Sequence, residues 1–335
     1  MRFAILGAGA IGAYVGAALA RGGADVTLIA RGEHLRAMQE RGVRVLSPRG
    51  DFEAHPPATD DLDAVADADV VFIGLKAHSL PALAPSLARL LKPGAALVAA
   101  QNGLPWWYFQ GRPGPFCDEV LESVDPGGTI ARSIPLDAVI GCVIYCSTEI
   151  VEPGVIRHIE GTRFAIGEPD GAESDRCRLI SKAFVAGGLR CPVEPRIRDH
   201  IWLKLIGNAA FNPVTALTGA TLGELGTLPE MVDLLRAMLT ECTAVAERLG
   251  VEMPVSLERR LEAGMAVGEH KTSMLQDLEA GKPLELDCMT GAVLELARKL
   301  DVPAPHTSAV YACTKLLDAR RQGATTREVT AAAES

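Results

Sequence analysis

Two hydrophobic periods divide this chain. In the first half, short apolar runs recur at Phe3–Leu6, Val26–Ala30, Asp69–Lys76 and Ala96–Ala100. Continuous apolar strands separated by helical stretches predict a parallel sheet covered on both faces. Helical spacing follows the first run as far as Arg21 and returns over Ala82–Leu91, where Lys92-Pro93-Gly94 stops it. Between Ala138 and Gly167, β-like runs are separated by Glu152-Pro153-Gly154 and Glu160-Gly161. Within them, Val155–His158 and Arg163–Ile166 read as a hairpin that closes the first domain. Asp175–Ala186 reads as a helix and Cys191–Val193 as a last short strand. After Pro195 the period turns helical, with candidate helices at 196–217, 229–250, 254–264, 287–300 and 306–320 and a frayed tail at Ala331–Ser335. The pattern predicts two domains, 1–195 and 196–330.

Composition narrows the class. A hydrophobic share of 48% and a charged share of 22% over 335 residues fill an ordinary globular core, built from aliphatic side chains because aromatics are only 4%. The net charge of −9, with no Lys/Arg run, argues against nucleic acid or an anionic membrane as partner. It leaves room for a small anion at a local positive site. The eight cysteines are scattered without a C-x-x-C pair, which points to a reducing compartment and hence the cytoplasm. Cys142 and Cys146 share one face of a strand, as small core residues do. The histidines do not cluster with one another or with cysteine, so no metal site is expected.

The densest signal lies at the amino terminus. Gly7-Ala8-Gly9-Ala10-Ile11-Gly12 follows the first strand at once and opens the first helix, and a second strand then ends on Arg31. Strand, G-x-G-x-x-G, helix, strand is the order of a dinucleotide-binding βαβ unit. Gly7 permits the tight turn, Gly9 lets backbone approach a pyrophosphate, and Gly12 lets the helix pack against the strand. The helix N-terminus offers N–H groups and a positive dipole end to the phosphates. Phe3–Ala20 is uncharged and follows Met1-Arg2, which also resembles a signal peptide or a short span. Three glycines in six residues and the continuation into a second strand argue against that. The expected fold is therefore α/β, a Rossmann-like doubly wound sheet followed by an all-helical domain. Lys76 and Asn102 also fall just after strands, where such sheets bind ligands. No acid ends the second strand to bond a ribose 2′-hydroxyl. Arg31 stands there instead and can bind a 2′-phosphate, so NADPH is the expected cofactor. The plainer role for Arg31 is to stack on the adenine or meet solvent.

In the second half, Lys204, Asn208 and Asn212 are four apart and form one polar stripe on a helix of apolar and small residues. A solvated face would carry Glu, Lys and Arg rather than two Asn, so the stripe points to a polar cleft. Farther on, Asp277, Glu279, Glu285 and Asp287 flank Lys282-Pro283, and Ser273 reads as an N-cap. Acids near a helix start are ordinarily caps or dipole partners, and the spacing alone makes none of them catalytic. The segment Pro105-Trp106-Trp107-Tyr108-Phe109 reads as an aromatic cluster packed under a long loop, or as a lid.

Taken together, Gly7–Gly12, Leu75-Lys76-Ala77, Gln101-Asn102-Gly103, Lys204-Leu205-x-x-Asn208-x-x-x-Asn212-Pro213, Ser273–Asp277 and Glu285-Leu286-Asp287 resemble the ketopantoate reductases (2-dehydropantoate 2-reductases). The resemblance spans nearly the whole chain. It implies NADPH-dependent reduction of 2-dehydropantoate to (R)-pantoate, on the way to pantothenate and coenzyme A, by an N-terminal Rossmann domain and a C-terminal helical domain with the active site between them. It implies that Lys204 and Glu285 are catalytic: Lys204 assists the ketone oxygen, and Glu285 holds the substrate hydroxyl and the surroundings of the lysine. Ser273 then meets the substrate carboxylate, and Asn208, Asn212 and Asn102 line the substrate site, Asn102 beside the nicotinamide as well. Gly7, Ala8, Gly9, Ala10, Ile11 and Gly12 cradle the cofactor, whose phosphates Arg31 and Lys76 bind. The partner is a small 2-oxo acid, with monomer or homodimer open. The chain departs from the family at Leu222, where an asparagine is common, at Leu284, where threonine usually precedes the glutamate, and in the aromatic segment. These departures keep another bulky 2-oxo acid open as substrate. A non-catalytic NADPH-binding sensor is the alternative of a different class.

Overall fold

The computed structural model describes residues 1–323, so the expected tail at Ala331–Ser335 lies outside the described residues. The chain forms two compact units, Met1–Arg198 and Asp199–Ser335.

The first unit is built on one nine-stranded sheet in the order β4-β3-β9-β8-β7-β6-β1-β2-β5. Its heart is parallel: β1 (Arg2–Leu6) lies between β2 (Asp25–Ile29) and β6 (Val70–Ile73), and β7 (Ala96–Ala99) continues beyond β6. All four residues of β6 and all four of β7 are buried, as unbroken apolar strands must be. The apolar run that resembled a signal peptide is thus the central strand and α1 (Ala10–Arg21). Helix α1 packs tightly because residue 16 is glycine; a Cβ there would lie 2.3 Å from Leu28 Cδ2. α2 (Gly32–Arg41) follows β2, and α3 (Leu80–Leu90) joins β6 to β7.

The far side of the sheet departs from the sequence expectation. β8 (Val139–Glu152) and β9 (Val155–Gly167) form the hairpin, turning at Pro153-Gly154. The two runs read as hairpin arms, Val155–His158 and Arg163–Ile166, are one strand. The break between them is a bulge at Gly161, whose φ is +71° and where a Cβ would lie 2.2 Å from the Tyr145 carbonyl. A glycine inside a β pattern signals a bulge as readily as a turn. Nor does the hairpin close the sheet. β9 pairs in parallel with β3 (Val43–Leu46), which pairs with β4 (Phe52–Ala54), while β5 (Ala58–Thr59) edges β2. Cys191–Val193 makes no strand; Arg190 and Val193 form isolated bridges to Arg163 and Ile166. α4 (Thr129–Ser133) and α5 (Asp175–Ala186) complete the unit.

The aromatic segment is packed rather than a lid. Trp107, Tyr108 and Phe109 are buried, Trp107 so tightly that a Cβ on Gly141 would lie 2.8 Å from its ring. Arg198 lies over the Trp107 ring with 5.8 Å to its centroid, and its Nη2 donates to the Gln110 carbonyl at 2.8 Å. Burial pulls the Arg198 guanidinium below its usual range.

The second unit is helical. α6 (Ile197–Thr218) enters it and is followed by α7 (Leu222–Leu225), α8 (Pro229–Arg248), α9 (Leu257–Met265) and α10 (Ser273–Glu279). The candidate helix at 287–300 opens with a π turn, Asp287–Gly291, before α11 (Ala292–Lys299), and α12 (Pro305–Arg321) ends the described chain. Among the described residues, no helix is long and apolar enough to cross a membrane, and no group of His, Cys, Asp and Glu could hold a metal ion.

Candidate active site

In the first unit, three predicted residues and the glycine loop stand in a row. β7, β6, β1 and β2 are parallel neighbours, so Asn102, Lys76, the Gly7–Gly12 loop and Arg31 succeed one another along the carboxyl edge of the sheet. Three strand spacings make that row about 14 Å wide. Strand order reverses between β1 and β6, and ligands bind at such switch points.

The glycine loop is built by contact distances. The Gly7 and Ala8 N–H groups donate to the Ile29 carbonyl at 3.1 and 2.9 Å, folding the chain back over β2. Gly7 has φ +92°, and a Cβ on Gly12 would lie 2.2 Å from the Gly7 carbonyl oxygen. Gly74 meets the same carbonyl, with a Cβ there 2.7 Å away, so it is a third required glycine that the sequence pattern had passed over as part of a strand. Gly9 differs: a Cβ there would meet nothing within 4 Å, and no side chain caps α1 or places an acid in its first turn. The open approach and the uncapped helix N-terminus fit an anionic pyrophosphate. Arg31 is exposed at the N-cap of α2, three residues before His34. Burial lowers the pKa of the His34 ring, whose Nδ1 accepts the Gly154 N–H at 3.0 Å.

In the second unit, one helix gathers the remaining residues. Lys204 and Asn208 are half-buried on α6 and Asn212 is buried, so the stripe is no solvated face. Asn212 Nδ2 lies 3.7 Å from Met289 Sδ, in the π turn just past Glu285, and Thr290 Oγ1 donates to the Ala209 carbonyl at 3.1 Å. The Thr215 hydroxyl, farther along α6, lies 2.6 Å from that of Thr272. α6 therefore touches both segments that carry the other two candidates. Ser273 is not the N-cap: Thr272 is, accepting the Leu275 N–H at 3.3 Å, and Ser273 is the first helical residue with its hydroxyl released from capping.

The four acids separate. Glu279 is surface-exposed and pairs with Lys271 at 2.7 Å, and Asp287 is taken by Tyr311 and Lys315 at 2.6 and 2.7 Å. Asp277 and Glu285 are buried, at 8% and 5% exposure. Glu285 lies two residues before the π turn, a distortion frequent at functional sites.

Comparison with known proteins agrees with this architecture. The family model described as ketopantoate reductase PanE/ApbA matches residues 3–171, and its C-terminal counterpart matches residues 196–318. The chain belongs to the ketopantoate reductase family. A 2-dehydropantoate 2-reductase of Mesorhizobium japonicum is 44% identical over 96% of this chain and 99% of its own. One from Halobacterium salinarum is 32% identical over 91% and 95%. Among solved structures, a PanE/ApbA family ketopantoate reductase from Ralstonia eutropha superposes with a TM-score of 0.83 at 27% identity, covering 96% of this chain and all of that one. Leu222 is buried in α7.

Proposed function

We propose that this protein reduces 2-dehydropantoate to (R)-pantoate with NADPH, the reductive step of pantothenate synthesis. The observation that carries this reading is the packing of α6 against the Thr272–Ser273 turn and the π turn after Glu285. The helix that carries Lys204, Asn208 and Asn212 thus touches the two segments that carry Ser273 and Glu285, which supports reading them as one site. Bound NADPH supplies the hydride. As C2 is reduced, negative charge grows on the ketone oxygen; the Lys204 ammonium stabilises that charge and donates the proton. Ser273 meets the substrate carboxylate, Glu285 accepts a hydrogen bond from its hydroxyl, and Asn208, Asn212 and Asn102 line the site. Residues 1–195 form the cofactor domain: Gly7 to Gly12 cradle the pyrophosphate while Arg31 and Lys76 bind phosphate groups. Residues 196–330 form the catalytic domain. The enzyme works in the cytoplasm as a monomer or homodimer, without nucleic acid or membrane as partner.

Loss of NADPH absorbance, measured with 2-dehydropantoate and with a panel of other 2-oxo acids, tests the reading. The highest kcat/KM is expected with 2-dehydropantoate. A higher value with another acid would reassign the substrate, and tight NADPH binding without turnover of any acid would make the protein a sensor.

A further inference from the structure

The segment that carries Glu285 is gripped on both sides by α12. α12 presents Tyr311, Lys315 and Asp318 at positions i, i+4 and i+7, on one face. The Tyr311 hydroxyl donates to Asp287 Oδ1 at 2.6 Å, and the Lys315 ammonium donates to the same oxygen at 2.7 Å while lying 3.3 Å from the hydroxyl. On the other side of Glu285, the Leu284 N–H donates to Asp318 Oδ2 at 3.3 Å. The chain is thus held at 284 through its backbone and at 287 through its side chain.

The grip extends to the π turn. The Gly291 N–H reaches back to the Leu286 carbonyl at 3.1 Å, closing the wider turn. A Cβ on Gly291 would lie 3.3 Å from Tyr311 Cε2 and 3.5 Å from its hydroxyl oxygen, so the ring is seated on the turn itself. π turns are rare and need support, because the ordinary α-helical turn competes with them. Burial, followed by the bond to Asp287, pushes the Tyr311 hydroxyl up to about 12, which keeps it a donor at any working pH.

From this geometry we infer that α12 is the positioning element of the site: Tyr311, Lys315 and Asp318 set the place of Glu285 through the Leu284–Asp287 segment. The inference rests on the reading of Glu285 as the group that holds the substrate hydroxyl. The three residues are positioning residues that act through Glu285.

Tyr311→Phe keeps the ring on Gly291 and deletes only the donor, and Lys315→Met removes the second donor as an independent variant. Each variant is assayed with 2-dehydropantoate and with 3-methyl-2-oxobutanoate, a related 2-oxo acid without the hydroxyl. The kcat/KM for 2-dehydropantoate is expected to fall about tenfold, as for loss of one hydrogen bond to a charged group. The value for the hydroxyl-free acid and the affinity for NADPH should hold within about twofold. In a Glu285→Ala background, Tyr311→Phe should add nothing, because the two act as one unit. Equal losses on both acids, additive losses in the double variant, or no loss at all would overturn the inference. Hydrogen exchange of the 284–291 amides gives a readout that does not depend on the substrate: faster exchange is expected in Tyr311→Phe, and unchanged exchange overturns the grip. If the parent turns over other 2-oxo acids but not 2-dehydropantoate while exchange responds as expected, the reading of Glu285 fails and the grip stands.

Discussion

Asp277, Glu279, Glu285 and Asp287 are alike on paper, and only their surroundings separate them. Glu279 reaches solvent and a lysine, Asp287 is claimed by a tyrosine and a lysine that follow it by more than twenty residues, and Asp277 and Glu285 are buried. Only Glu279 has its partner nearby, in Lys271; the residues that claim Asp287 lie beyond any local window. The same holds for the cap. Thr272 and Ser273 are both good cap residues, and the Thr215 hydroxyl marks which of them stands at the helix start. Lys204 was legible by contrast, since a cation and two asparagines four apart on an apolar helix are visible in the spacing itself. If it is the proton donor, Lys204→Ala should raise the barrier by about 2.7–4 kcal/mol, by analogy with other oxyanion donors. Steady-state kinetics should show a collapse in kcat, while fluorescence titration shows unchanged NADPH affinity. An unchanged kcat would remove Lys204 from the mechanism.

At the scale of elements, periodicity located most helices and failed where a single residue alters a regular element. Gly161 reads as a turn and makes a bulge, and Asp287–Gly291 reads as α-helix and winds as a π turn. α12 has its own remote support. The cap residue Ala304 offers no side-chain oxygen, and Glu241 of α8 takes that role. Its carboxylate accepts the His306 and Thr307 N–H groups at 3.0 and 2.8 Å and the Thr307 hydroxyl at 2.6 Å. Burial works against the Glu241 charge, but bonds from Thr307 and His306 outweigh it and hold the carboxyl below its ordinary value of 4.5. A depressed carboxylate stabilises the fold above the unfolded value and loses that contribution as pH falls through the folded one. Glu241→Gln should therefore cost about 1.5–3 kcal/mol at neutral pH. The gap to the parent should shrink as pH drops below 4.5. Denaturant melts at two pH values would show both. A gap that does not change with pH would mean that the charge is not what holds the helix.

For the whole molecule, sheet order was the part least available in advance. β3, β4 and β5 are two to four residues long, too short to show a period, yet β3 extends the sheet beyond β9. A strand joins a sheet through non-local hydrogen bonds, and its own residues do not name the partner. The parallel heart, with its glycine loop, was legible because each strand there is continuously apolar and the motif follows the first at once. That arrangement predicts how the folded protein answers its cofactor. A ligand that binds only the native state at a hundredfold excess over its Kd adds about 2.7 kcal/mol of stability. NADPH should raise the melting temperature more than NADH at equal concentration, and Arg31→Ala should erase the difference. A preference that survives in Arg31→Ala would assign the 2′-phosphate to another residue.

The amino-acid sequence by itself determined the class of fold, the glycine loop after the first strand, the nicotinamide chemistry and the polar stripe along α6. All of these are written in local patterns: continuous apolar strands, glycines at fixed offsets, and polar positions at the helical period. Tertiary structure alone decided which strand borders which, which two of four acids are buried, and which helix supports the turn after Glu285. Those choices are made by hydrogen bonds and close contacts between residues far apart in the chain, such as Leu284 with Asp318 and Gly161 with Tyr145, where no local pattern reaches.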